Sequence, residues 1–454
     1  MGNSEQILIV EEIAGSENSL TNLLSDTGIS CLNVIPGNGL DNILPISSKR
    51  PQAILVDSSS FGTENNGSDS GSNRLMQNLA KLSQLAIDEH IPMILLAGQG
   101  EQMEGFLPAA PWDDILIRPV SALQIINRIS SLNRLGTMQS ELNRRITTSM
   151  RYGVDAPKQI SMPVEFDDAA ILVLGTGQKF AAIERVLSPH ATLTGAFTLD
   201  TAVEYMQRRD FDAVVVEVQE DGMTALDFAA LVRRHSRFFN VPLIALGDAD
   251  KDDWCDTAIG AGYSEILGDD VLDDDLERRI MAHVLESRFR ESLRAVYREA
   301  RHMSTSDGLT GLFSRGFLFE HLRTIMNEAG PNENDFSVVA FGIRDMAGLN
   351  EAYDYAIGDR MIRQVGEVMS FLLRGEDLAA RYSGAIFVAI LPDTDPVSAL
   401  AATKRITSVV RFTEFSVPEV DGPIRIDIAS GVAGYQPGEN PEKLVLRALS
   451  WLQT

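Results

Sequence analysis

Apolar residues fall along the chain in short blocks, and the blocks repeat. Residues 7–10, 53–56, 92–96 and 115–117 are runs of three to five mostly apolar residues, too short for helices and rich in branched side chains. Unbroken apolar character, without alternation, predicts strands buried on both faces, as in a parallel sheet. Helix-period stretches such as 75–86 and 122–146 lie between and after them, so strands and helices alternate as in a doubly wound α/β fold. After a polar, proline-containing stretch at 151–167 the pattern returns: 171–174 match 7–10, 213–216 match 53–56, Pro242 matches Pro92 and Ile266 matches Ile115. Residues 280–303 then carry apolar side chains at 285, 289, 293, 296, 300 and 303, a near-heptad stripe. A homodimeric coiled coil and a single helix lying on its own domain both fit that stripe.

Ligands of such sheets gather at the carboxyl ends of the strands. In the first copy those ends carry Glu11, Glu12, Asp57, and Arg118 followed by Pro119. The set resembles the receiver domain of response regulators, a flavodoxin-like fold with an acidic pair for Mg²⁺, a phosphoacceptor Asp, a Ser/Thr switch and a Lys before Pro. By that resemblance Asp57 is the candidate phosphoacceptor, and Glu11, Glu12 and Asp57 are the candidate metal ligands. Ala97 stands where the switch hydroxyl is needed and Arg118 where the Lys is, so relay of a phosphoryl signal is not expected and a docking surface is. The second copy has lost more: Gly175 and Thr176 replace the acidic pair, Glu217 replaces Asp57, Gly247 replaces Ala97 and Asp269 replaces Arg118. Phosphotransfer there is not expected. The Gly- and Ser-rich stretch 62–71 reads as a surface loop. A dinucleotide fingerprint starting at Gly175 fails at Phe180, and a calcium loop starting at Asp248 fails at Asp253 and Ile259. The six histidines show no metal-binding spacing.

The last third opens with Asp307-Gly308-Leu309-Thr310-Gly311-Leu312-Phe313-Ser314-Arg315. Further on come Arg374-Gly375-Glu376-Asp377 and, after five residues, Ser383-Gly384-Ala385-Ile386-Phe387. These resemble the opening motif, the R-x-x-D pair and the signature hairpin of the GGDEF family, the cyclases that make cyclic di-GMP. The resemblance implies a nucleotidyl-cyclase-like α+β domain over roughly 305–454. It also implies that Gly342, Ala385 and Ile386 stand where active members place metal-binding carboxylates, beside the fixed charge of Arg344. Phosphodiester synthesis needs divalent cations to neutralise the triphosphate, so no catalytic residues, no Mg²⁺ and no enzymatic activity are expected. The chain also ends at Trp451-Leu452-Gln453-Thr454, short of the family's terminal lysine segment.

Asn350 and Asp359 match the family's guanine contacts, although Asp359 equally fits a cap for a helix starting near Arg360. Arg374 and Asp377 match the inhibitory site, where cyclic di-GMP binds, and counting on without gaps places its further arginine at Arg405. The chemistry suits the ligand, because a guanidinium can grip guanine O6 and N7 while a carboxylate accepts from its N1–H and N2–H₂ edge. The alternative is a surface ion pair on a turn between a helix at 361–373 and a strand at 385–391.

Composition narrows the partners. Thirty-nine Lys and Arg against 64 Asp and Glu give a net charge of -25, which repels nucleic acid and anionic lipid. Two distant cysteines and the absence of an apolar leader or long apolar run point to a cytoplasmic protein without membrane insertion. The domain expectation is a first receiver at 1–150, a linker at 151–167, a second receiver at 168–290, a linker helix at 291–306 and a degenerate GGDEF domain at 307–454. That order resembles non-enzymatic cyclic di-GMP receptors that move to a cell pole and act as adaptors in cell-cycle proteolysis, with partners resembling RcdA, CtrA and the protease ClpXP. A phospho-regulated scaffold dependent on Asp57 and a residual diguanylate cyclase are the alternatives.

Overall fold

The computed structural model describes residues 6–11, 19–27, 29–34, 51–58, 79–87, 91–98, 112–118, 120–152, 168–218, 222–235, 238, 240–247, 252–268, 271, 273–299, 305–328 and 336–453. They divide into two compact units: Met1–Gly136 with Phe166–Val284, and Thr137–Glu165 with Leu285–Thr454.

The first unit holds two parallel sheets. One is built from β1 (Gln6–Val10), β2 (Ser30–Val34), β3 (Ala53–Asp57), β4 (Met93–Ala97) and β5 (Asp114–Ile117), ordered β2-β1-β3-β4-β5. Its helices are α1 (Leu20–Leu24), α2 over 79–87 and α3 (Ala122–Arg151). The other contains β6 (Ala169–Leu174), β7 (Ala191–Ala196), β8 (Ala213–Glu217), β9 (Leu243–Leu246) and β10 (Glu265–Leu267), ordered β7-β6-β8-β9-β10. Between and after these strands come α4 (Gly177–Leu187), α5 (Leu199–Arg208), α6 (Met223–Arg234), α7 (Asp252–Ala261) and α8 (Asp273–Glu299). Numbered from its own first strand, each sheet reads 2-1-3-4-5, the flavodoxin-like order, so the sequence repeat is a repeat of folds.

Packing explains the unbroken apolar runs. Ile7 and Ile9 face Leu20, Leu24, Ile125 and Ile129, while Leu8 and Val10 face Leu79 and Leu82 on the opposite side. Each such side chain stabilises the fold by about 1.5–3 kcal/mol on burial. β2 was not evident from sequence because it is an edge strand, half-buried, with Asn33 interrupting its apolar character. Within this unit a fully buried carboxylate, Asp114 on β5, takes both Arg128 and Arg278, and Arg278 also reaches Asp275 and the Ile115 carbonyl. Burial alone would raise the Glu265 carboxyl, yet Arg279 and His283 hold it well below the usual carboxylate range.

The second unit is a mixed sheet of β11 (Phe313–Ser314), β12 (Ser337–Ile343), β13 (Leu378–Ser383), β14 (Ile386–Leu391) and β15 (Ile428–Gly434), ordered β11-β13-β14-β12-β15. Alternation along β12 sends Val339, Phe341 and Ile343 to one face and Val338 and Ala340 to the other. The first face is covered by α11 (Tyr355–Leu372) and α12 (Pro396–Phe412). The second is covered by α9 (Arg315–Glu328) and α13 (Pro441–Ser450), with α10 (Met346–Tyr353) leading into α11.

The unit boundaries differ from the sequence boundaries. The last half of α3, from Thr137, and α8 from Leu285 are grouped with the C-terminal residues. Here Arg144 pairs with Glu328 at 2.6 Å and Thr137 bonds Asp393, contacts too distant in sequence for periodicity to reveal. Helix α8 runs without a break from Asp273 to Glu299, across the expected domain boundary at 290. The side chains at 293–300, Met303, the 62–71 loop, Asp248, Asp269, Glu12 and residues 153–167 lie outside the described residues. No helix among the described residues is long and apolar enough to cross a membrane.

Candidate functional site

The R-x-x-D residues form the turn joining α11 to β13. Sequence placed the next strand at 385–391, but β13 intervenes, and its polar exposed end, Arg381 to Ser383, masked it in the pattern. The Asp377 carboxylate accepts the Arg374 backbone N–H at 2.7 Å, and the Asp377 N–H donates back to the Arg374 carbonyl at 3.2 Å. Among the described residues no ion pair joins the two side chains, so the surface ion pair is not what holds them. Asp377 and Glu376 are buried, whereas the Arg374 side chain is exposed. Burial, then the neighbouring Glu376 charge, pushes the Asp377 carboxyl up to about 7. Arg405, exposed on α12, donates to the Leu372 carbonyl at 3.1 Å, two residues before Arg374. The structure thus brings together the three residues singled out for the ligand: two exposed guanidiniums and a carboxylate fixed by its own turn.

Three further residues buttress this turn, and sequence reading missed them. Arg145 on α3 donates to the Glu376 carbonyl at 2.7 Å and to the Asp377 carbonyl at 3.0 Å. Its Nε donates to Glu141 at 2.7 Å, and His321 Nε2 lies 2.9 Å from the same Glu141 oxygen. Burial alone would raise Glu141; His321 and Arg145 instead bring it down to about 2. The only local signal was the i, i+4 spacing of Glu141 and Arg145, which usually marks a solvated helix face.

The segment Ser383-Gly384-Ala385-Ile386-Phe387 forms a hairpin. β13 and β14 are joined through Gly384 and Ala385, with Ser383 opposite Ile386, and Gly384 adopts φ +52°, a left-handed conformation that glycine accepts freely. Gly342 pairs with Ile386 across β12 and β14. A Cβ built on Gly342 would lie 3.3 Å from the Leu452 side chain, so apolar packing occupies that side of the position. Arg344 is exposed and lies 3.7 Å from Asp427, which also accepts from Arg411 at 2.8 Å. Among the described residues no three His, Cys, Asp or Glu side chains are grouped to hold a metal ion.

The guanine-type residues are near neighbours. Asn350 Oδ1 is buried with no hydrogen-bond partner among the described residues, and a Cβ on Gly358 would stand only 2.1 Å from it. Gly358 therefore makes room for the carboxamide, beside Asp359. Asp359 does not cap a helix: α11 starts at Tyr355, and Asp354 caps it by accepting from Ala356 and Ile357.

In the first sheet the carboxyl-end residues are engaged with protein groups. Arg118 donates to Asp57 at 2.6 Å, closing over the candidate phosphoacceptor. Glu11 accepts from Ser19 (2.7 Å), Leu20 N–H (2.9 Å), Thr21 (2.6 Å) and Asn33 (2.6 Å), which ties it to the start of α1 and to β2. In the second sheet Glu217 turns onto Thr176, accepting its N–H at 2.5 Å and its hydroxyl at 3.2 Å.

Residues 304–454 match the family model described as diguanylate cyclase, GGDEF domain. These residues form a GGDEF domain. The chain is similar to the response regulator PleD of Caulobacter vibrioides, 25% identical over 381 residues that cover 81% of each chain. It is also similar to diguanylate cyclase A of Treponema denticola, 31% identical over 151 residues, 32% of this chain and 40% of that one. Among solved structures it matches the coiled coil and GGDEF domain of DgcB from Caulobacter crescentus in complex with c-di-GMP. That match has 28% identity and a TM-score of 0.32, covering 39% of this chain and 92% of that one. The architecture of two parallel-sheet domains followed by a GGDEF domain is the one expected from the sequence.

Proposed function

We propose that the chain is a non-enzymatic cyclic di-GMP receptor and adaptor, binding the dinucleotide at Arg374, Asp377 and Arg405. One observation carries this reading: within a single GGDEF domain the R-x-x-D turn is built and buttressed, while Gly342, Ala385 and Ile386 offer no carboxylate at the cation positions. Without ligands for a metal, its transition-state contribution is lost altogether, whereas recognition needs only the guanidiniums and the carboxylate. In an acidic protein a dianionic ligand binds where arginines reverse the local field, and the exposed Arg374 and Arg405 are the groups that would do so here. Asn350 and Asp359 are a remnant of a guanine pocket, without a catalytic role.

The order of two receiver-type domains and a degenerate GGDEF domain is similar to that of PopA. On that resemblance the adaptor recruits partners like RcdA, CtrA and ClpXP for regulated proteolysis in the cell cycle, at a cell pole.

Acidity supplies a test. Asp377 must be ionised to accept from guanine, and its carboxyl in the free protein titrates at about 7. Rising pH favours the ionised form, so affinity is full above pH 7 and falls by about tenfold per pH unit below it, as expected for one linked proton. Calorimetry with cyclic di-GMP at pH 8 and pH 6 reads this directly; binding that strengthens at pH 6 contradicts the assigned acceptor. Asp57→Asn is expected to leave affinity within about twofold, the additivity of uncoupled sites. A large loss in that variant favours the phospho-regulated scaffold instead.

A further inference from the structure

We propose that Arg145, more than 150 residues ahead of the GGDEF segment, is the positioning residue for the ligand-binding turn, and that ligand occupancy and order in the α3 segment 137–151 are coupled through it. The inference rests on the receptor reading above and deepens it.

The turn has a specific mechanical weakness. It consists of four residues between a helix end and a strand, and its functional carboxylate projects from the last of them. A few tens of degrees of rotation in the peptide joining Glu376 to Asp377 would move that carboxylate off the guanine edge. Recognition of this kind tolerates about 0.5 Å and 10–20° of misplacement. The fully buried Arg145 guanidinium removes the freedom by donating from one nitrogen to both successive carbonyls, at 2.7 and 3.0 Å. Its own orientation is fixed by Glu141, to which its Nε donates, and His321 packs against the same Glu141 oxygen at 2.9 Å with its Nδ1 3.2 Å from the Thr148 hydroxyl. A cluster of four buried side chains thus backs the peptide that carries Asp377. Three of the four, Glu141, Arg145 and Thr148, belong to α3.

Coupling is reciprocal, so whatever the segment contributes to the ligand site, the ligand returns to the segment. The planar fork matters as much as the charge. Lysine at 145 keeps the charge, but its ammonium is a point donor that cannot hold Glu141 and two carbonyls in one fixed plane.

The test uses the full chain and cyclic di-GMP. Calorimetry is run on the wild type, Arg374→Ala, Arg145→Lys and the double variant Glu141→Gln/Arg145→Met, which removes the buried ion pair as a unit without stranding one of its charges and whose folding is checked by its unfolding midpoint. Hydrogen exchange is followed across 137–151 with and without ligand. The expected result is at least about tenfold weaker binding in both Arg145 variants, as for a misplaced recognition group. In the wild type the ligand slows exchange in 141–151, and Arg374→Ala abolishes that protection. Binding that depends on Arg374 but is unchanged in both Arg145 variants, without ligand-dependent protection, overturns the positioning role and leaves the receptor reading standing. Failure of the wild type to bind overturns both.

Discussion

Replacing Glu141 with alanine is expected to destabilise the C-terminal unit by about 3–5 kcal/mol, the range for breaking a buried ion pair from one side. The carboxylate is fully buried between Arg145 and His321, and its removal leaves the Arg145 guanidinium in the interior with two carbonyl acceptors and without the carboxylate it donates to. Because the folded carboxyl titrates at about 2, below its unfolded value of about 4.3, its stabilisation is present above the unfolded pKa. That stabilisation is lost as pH falls through the interval toward 2. Urea unfolding of wild type and variant at pH 7 and pH 3 checks both parts: the gap between them should narrow at the lower pH. A gap that widens there would show that Glu141 is not held ionised by its partners.

The second large effect is on ligand affinity. Arg374→Ala is expected to weaken cyclic di-GMP binding by about 2–5 kcal/mol, the range for deleting one partner of a charge-assisted contact. That corresponds to roughly 30- to 5,000-fold in Kd. Arg374 is exposed and bonds to Asp377 only through its backbone, so the substitution should barely alter the unfolding midpoint. Affinity and stability therefore separate at this residue, whereas at Glu141 stability changes first. Parallel titration and thermal melting of Arg374→Ala distinguish a recognition group from a structural one.

What sequence could and could not reveal follows from where each interaction partner lies. β1, β3 and β4 were legible because strands covered on both faces must be apolar throughout. β2 and β13 were not, since an edge strand and a strand with an exposed end need no such pattern. The pair Arg374 and Asp377 is local, three residues apart, and its spacing survives as a motif. Arg405 was reachable by counting along α12, and the structure places it on the carbonyl of Leu372. Arg145 was out of reach, because its contact with Asp377 spans 232 positions and nothing in a polar helix announces a buried fork. Leu452 beside Gly342 is a similar case: the glycine was visible in the sequence, but what packs beside it was not. The proposed helix cap at Asp359 failed for a simpler reason. Asp354, with φ +88°, starts the helix five residues earlier, at a backbone conformation that pattern reading does not detect.

The account turns on recognition having outlived chemistry within one GGDEF domain. A single preparation of the wild-type chain tests it most directly, titrated with cyclic di-GMP in a calorimeter and, in parallel, incubated with GTP and Mg²⁺ while product is followed. Saturable binding of the dinucleotide with no conversion of GTP is the predicted result. An absence of binding heat, or the appearance of cyclic di-GMP from GTP, contradicts it.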